Sequence, residues 1–141
     1  MEYEILDISG DVGIRAYGDR LGEAFINAGI GMYSLITDIE RISEKKEIGF
    51  QTRGISLEGI LVSYLNELIY MFDAFNFIGK RIEIISSDFK ATNPYINVKV
   101  FGEEFNPLIH ERRLLIKAAT YHNIKIDNIN GRWLIEVIFD I

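Results

Sequence analysis

Apolar residues recur at three- and four-residue steps in two long segments of the chain and at two-residue steps through most of the rest. Leu21, Ala24, Phe25, Ala28, Met32, Leu35 and Ile36 line one helical stripe, with Asp19 placed to cap its start. Gly29 and Gly31 each cost the interior of such a helix about 1 kcal/mol relative to alanine, so packing on a sheet has to hold it together. A longer helix follows. Ser56 stands as N-cap, Glu58 suits the positive end of the helix dipole, and Leu57, Ile60, Leu61, Tyr64, Leu65, Leu68, Ile69 and Phe72 make a continuous apolar face.

The remaining segments read as strands. Residues 3–6 and 12–17 are short and β-compatible, with Gly10, Gly13 and Gly18 as bends around them. Ile48, Phe50 and Thr52 alternate with Gly49 and Gln51, and residues 81–86, 95–101 and 112–122 continue the series. Asn130-Gly131 separates residues 124–129 from 132–139, the strongest short-range signal for a two-residue type I′ hairpin. The order is ββαβα followed by strands, which predicts an α+β fold: a multi-stranded sheet with two main helices packed on one face. No repeat, linker or charge block divides the chain, and Pro94 and Pro107 are its only prolines, so residues 1–141 read as a single domain.

Composition narrows the chemistry. A chain of 141 residues, 48% of them apolar, can bury roughly 68–70% of the surface its unfolded form exposes, so folding requires neither metal nor disulfide. The absence of cysteine removes disulfide scaffolds, thiolate metal sites and cysteine nucleophiles. With 15 Lys+Arg against 21 Asp+Glu the net charge is −6, which opposes direct nucleic-acid binding. The first ten residues, MEYEILDISG, are acidic where a secretion signal is basic, and no apolar stretch reaches membrane-spanning length. The expectation is a cytoplasmic protein with no membrane association.

Familiar catalytic signatures fail. Gly79-Lys80 is followed by Arg81 rather than Ser or Thr, the early glycines do not make G-x-G-x-x-G, and Ser56 is not in G-x-S-x-G. His110 and His122 are too few for a three-histidine zinc site. Three polar clusters remain. In the first, residues 7–13, an aspartate beside glycines reads in isolation as an Asx-type turn. In the second, residues 117–122, Lys117 on a strand reads as solvent-facing. The third is Asp140-Ile141, which follows a strongly apolar strand and is therefore held in the sheet. A fixed terminus sets the Asp140 carboxylate near the carboxylate of Ile141. If Asp11 lies nearby, three carboxylates converge on a site suited to Ca²⁺, Mg²⁺ or Mn²⁺. Lys117 either neutralises these groups as an ion pair or stands beside a metal. A hydrolase built directly on Asp11, Asp140 and Lys117 lacks an identifiable base or nucleophile.

The sequence resembles the archease family along essentially its whole length. The likeness rests on residues 7–18 (DISGDVGIRAYG), the Leu21-Gly22-Glu23-Ala24-Phe25 helix start and its Leu35-Ile36-Thr37-Asp38 end. It extends to Tyr64-Leu65-Asn66-Glu67-Leu68, Gly102-Glu103, His110, the KAATYH stretch and Asp140-Ile141. The family reads D-H-T-A-D where this chain has Asp7-Ile8-Ser9-Gly10-Asp11, so the family histidine is replaced by Ile8 and Asp11 is retained. The resemblance implies a non-enzymatic protein cofactor of RtcB-type tRNA-splicing RNA ligases, promoting ligase guanylylation and multiple turnover. It also implies an alternative role as chaperone-like modulator of a tRNA cytosine-5 methyltransferase. The implied metal ligands are Asp11, Asp140 and Ile141, with calcium, magnesium or manganese as the ion and Lys117 as a functional neighbour.

Overall fold

The computed structural model describes residues 2–141. In chain order its elements are β1 (Tyr3–Ile8), β2 (Asp11–Gly18), α1 (Leu21–Ile36), a 3₁₀ turn (Ile39–Arg41), β3 (Lys46–Arg53), α2 (Leu57–Phe75), β4 (Phe77–Asp88), β5 (Tyr95–Glu104), β6 (Ala118–Ala119), β7 (Lys125–Ile129) and β8 (Arg132–Asp140). The two-helix α+β architecture matches the expectation, with the strands divided between two antiparallel sheets. The larger runs β1-β2-β8-β6, with β7 also paired to β8, and the smaller runs β3-β5-β4.

Both helices touch both sheets, α1 against β1, β2, β8 and β4, and α2 against β3, β4, β5, β6 and β7. The apolar stripes meet the inward faces of the strands, so that Phe25, Ala28 and Met32, Tyr64, Leu65 and Leu68, and Ile14, Val98, Val100 and Val137 form one contiguous core. Gly29 has a positive role in it. A Cβ there would overlap the Tyr64 hydroxyl, which donates to the Phe25 carbonyl at 3.0 Å, so the helix-weakening glycine is what lets α2 approach α1.

Ser56 caps α2 as expected, accepting the Gly59 N–H at 3.0 Å. Asp19 does not cap α1. The helix begins after Arg20, whose side chain makes no cap bond, and the Glu23 carboxylate reaches back to accept the Asp19 N–H at 3.2 Å. Residues 112–122 are not one long strand either, since only Ala118–Ala119 pairs in a sheet. The preceding segment serves the end of α1 instead. Arg113 and Leu114 donate their backbone N–H groups to the carbonyls of Ile36 and Leu35 at 2.9 and 3.0 Å, and the Arg113 guanidinium donates to Ser34 O at 3.1 Å. Helices leave their last carbonyls without internal partners, and this chain supplies them from a distant loop.

Candidate functional site at the ends of three strands

Ser9 (φ 51°) and Gly10 (φ 87°) both lie in the left-handed region and join β1 to β2 by a two-residue turn. The turn delivers the chain into β2 at Asp11. On its other side β2 pairs with β8, Val12 opposite Phe139, so the next residues outward along the two strands are Asp11 and Asp140. β6 flanks β8 with Ala118 opposite Asp140, and the Lys117 N–H donates to the Asp140 carbonyl at 2.8 Å. Asp11, Asp140, Ile141 and Lys117 therefore gather from opposite ends of the sequence at one end of the larger sheet.

Alternation sets the faces. Ile135, Val137 and Phe139 point into the core from β8, as Ile14 and Ala16 do from β2, which leaves Asp140 and Asp11 on the outer face. Both aspartates and Lys117 are exposed. Asp11 also lines an outer-face cleft of about 420 Å³ with Leu6, Ile138, Lys125 and Glu136. Gly13 makes the close approach of β2 and β8 possible, because a Cβ there would overlap the Val137 carbonyl oxygen and stand 2.8 Å from Ile138 Cδ1.

Ion pairs on this face join Arg15 to Glu136 at 2.6 Å and to Glu4 at 3.6 Å, and Lys125 to Glu136 at 3.5 Å. The hydrogen bond from Arg15 to Glu136 holds its guanidinium above the ordinary arginine range, burial acting in the opposite sense. Lys117 forms no ion pair among the described residues, and its contact with Asp140 is through the backbone. Also among the described residues, no three His, Asp or Glu side chains are gathered as a metal-ligating group. The expected set differs in taking its third oxygen donor from the carboxylate of Ile141. Two aspartates at adjacent strand ends on one face supply hard oxygen donors of the kind that divalent cations such as calcium accept.

Two positioning residues carried no assigned role in the sequence. Asn66 on α2 accepts the Ala119 N–H through its Oδ1 at 2.8 Å, and Thr120 donates from both its N–H and its hydroxyl to the Ile138 carbonyl at 3.0 and 2.8 Å. Together they fix β6, and with it Lys117, against β8. A hydrogen bond to another element's backbone leaves no periodic signal, so neither residue stands out in the sequence.

Glu103 and His110 form a separate, buried cluster. His110 Nδ1 accepts the Asn106 N–H at 2.8 Å, so its proton sits on Nε2 and is donated to Glu103 Oε2 at 3.2 Å. The Ser43 N–H donates to the same oxygen at 2.6 Å, and Lys45 Nζ stands 3.5 Å from Oε1. Burial pushes the Glu103 carboxyl up, but the Ser43 amide, His110 and Lys45 outweigh it and hold the group below its ordinary value. Both imidazole nitrogens are hydrogen-bonded, so the pair clasps two loops to β5.

No helix of the described residues is long and apolar enough to cross a membrane. Residues 3–141 match the model of the Archease protein family. The chain is 34% identical over 143 residues to the protein archease of Pyrococcus furiosus and 31% identical over 140 residues to that of Sulfurisphaera tokodaii, covering 99% of each chain in both cases. The solution structure of Methanobacterium thermoautotrophicum protein 1598 superposes with a TM-score of 0.85 at 28% identity, over 99% of both chains. A crystal structure from Thermotoga maritima, described as an archease and possible chaperone, shares the fold with a TM-score of 0.58 at 16% identity. Matched from its first strand to its last residue, the chain belongs to the archease family.

Proposed function

We propose that this protein is a non-enzymatic, cytoplasmic activator of an RtcB-type tRNA-splicing RNA ligase, acting through a divalent cation held by Asp11, Asp140 and the carboxylate of Ile141. The observation that carries the reading is the register of β2 and β8, which sets Asp11 and Asp140 at adjacent strand ends on one face. Carboxylates so placed repel one another unless a cation joins them. Calcium suits the donor set, as do magnesium and manganese. Near a nucleotidyl-transfer centre such an ion supplies charge compensation to phosphate oxygens. The chain's own residues do the positioning: Gly13 brings β2 onto β8, and Asn66 and Thr120 fix β6, whose preceding residue Lys117 bonds the Asp140 carbonyl through its N–H. A net charge of −6 favours docking on the basic surface by which an RNA-joining enzyme holds its substrate.

Calcium titration followed by thermal melting tests the site, and ligation tests the role. At about 100 times its dissociation constant a ligand adds roughly 2.7 kcal/mol to stability. The expected outcome is a calcium-dependent rise in Tm for the parent, lost in Asp11→Ala and Asp140→Ala, with a parallel loss of multiple-turnover stimulation of a cognate ligase. Stimulation undiminished in these variants sinks the proposal. A chelator-insensitive complex with a tRNA cytosine-5 methyltransferase supports the chaperone role instead.

A further inference from the structure

The larger sheet ends at β1, and nothing among the described residues pairs with that strand's outer edge. Its hydrogen-bond phase is fixed by the Tyr17 N–H, which donates to the Glu2 carbonyl at 2.9 Å, one step beyond the Tyr3–Ala16 pair. In an antiparallel ladder the bonded pairs alternate, so Glu2, Glu4 and Leu6 turn their backbone groups toward β2. Tyr3, Ile5 and Asp7 turn theirs outward, presenting three N–H and three C=O groups in a row. A groove of about 500 Å³ lined by Glu2, Tyr3, Glu4 and Ile5 runs along this edge, and the Ile5 side chain is 55% exposed beside it.

Exposed edges are ordinarily blunted by lysine, proline or bulges. In the smaller sheet the edge strand β4 has register shifts between Gly79 and Arg81 and between Ile84 and Ser86, and the other edge, β3, carries Lys46 and Arg53 at its ends. β1 has none of these devices. Its six residues pair with β2 in unbroken register, and its charged side chains are Glu4 and Asp7, with Glu2 just before it. Arg15, opposite Glu4 on β2, is already engaged by Glu136 and Glu4. A second copy adding here antiparallel would bring two acidic strands side by side, which is unfavourable. A strand bearing lysine or arginine would meet opposite charge while satisfying the six backbone groups and covering Ile5.

We propose that the outer edge of β1 accepts an extended, lysine- or arginine-bearing segment of a partner protein as an added strand. Backbone pairing with Tyr3, Ile5 and Asp7 supplies the docking, and the acidic flank selects the charge of the segment. Metal binding plays no part in this docking.

The test uses a ten-residue peptide alternating lysine with valine and threonine, added at up to millimolar concentration to the ¹⁵N-labelled protein, with a glutamate-for-lysine peptide as control. The amides of Tyr3, Ile5 and Asp7 should shift and gain protection from exchange, while those of Glu4 and Leu6, already bonded to β2, should gain little. Ile5→Pro removes an outward N–H without touching the β1–β2 ladder, and it should abolish binding while leaving the rest of the amide spectrum in place. Glu2→Lys combined with Asp7→Lys should weaken binding roughly fivefold or more. Equal binding of the acidic peptide, binding unaffected by Ile5→Pro, or shifts mapping to another surface would each overturn the proposal. So would parent-protein dimers that Ile5→Pro dissociates, which would make a second copy the occupant.

Discussion

Replacing Glu103 by alanine removes the acceptor on which two loops close. The residue is 6% exposed and takes the Ser43 N–H at 2.6 Å and the His110 Nε2–H at 3.2 Å. Without it the buried His110 Nε2–H is left unpaired, at about 1–3 kcal/mol, and the Ser43 N–H, on an exposed residue, loses a bond worth about 0.5–1.5 kcal/mol, so the expected loss at pH 7 is about 1.5–4.5 kcal/mol. The Lys45 contact adds little, because that side chain is 69% exposed. Against a native stability of about 5–15 kcal/mol the change is large enough to read from urea denaturation followed by circular dichroism. Glu103→Gln can set its amide oxygen where both donors converge but gives up the negative charge and turns its NH₂ toward Lys45 Nζ, so its loss should be intermediate. The sign of the pH dependence follows from the carboxyl being held below its ordinary value. The carboxylate's contribution is complete above the unfolded value of about 4.3 and disappears as pH falls through the folded value. The gap between parent and Glu103→Gln should therefore be widest near neutrality and close below about pH 4. An alanine variant within about 0.5 kcal/mol of the parent at pH 7, or a glutamine gap unchanged down to pH 3, refutes the reasoning.

Two further substitutions probe the strand ends. Gly13→Ala forces a Cβ into the Val137 carbonyl and Ile138, so it should cost about 1–3 kcal/mol and speed amide exchange along the β2–β8 ladder. Parent-like exchange there would show that the two strands have room to spare. Asn66→Ala leaves the Ala119 N–H unpaired and should cost about 1–3 kcal/mol, with faster exchange confined to β6 and its neighbours on β8. A calcium-induced Tm rise that is undiminished in Asn66→Ala would separate the placement of β6 from the proposed ion site.

Elements governed by local rules were legible in the sequence, and those governed by distant partners were not. The α2 stripe and its Ser56 cap, and the Asn130-Gly131 turn with φ 55° and 85°, depend on neighbours a few residues away. The segment before Ala118 reads as strand because it is apolar, yet its amides are taken by α1 carbonyls that no pattern in residues 112–117 reveals. β4 begins at Phe77 rather than at residue 81 because the register shift between Gly79 and Arg81 breaks the alternation by which a strand is recognised. Asp11 and Asp140 could be singled out as carboxylates without a packing role, and their adjacency required the β2–β8 register. Asn66 and Thr120 stayed unassigned because a hydrogen bond to another element's backbone leaves no periodic trace.

The same register couples the strand ends to the stability of the whole molecule. Asp11 belongs to the first hairpin and Asp140 to the last strand, and only the β2–β8 ladder joins them. Unlike a ligand loop closed within one short segment, this pairing exists only when both ends of the chain are folded. Its strands also bury Ile14, Ala16, Ile135 and Val137 in the common core, so they cannot separate without opening it. A ligand that draws on both carboxylates is then excluded from the unfolded chain. Its binding energy appears in full as global stability, not as the ordering of a local loop. Calcium binding at Asp11 and Asp140 should accordingly slow amide exchange in the core strands as much as at the sheet end, and protection confined to residues 9–12 would show that the two carboxylates do not act as one site.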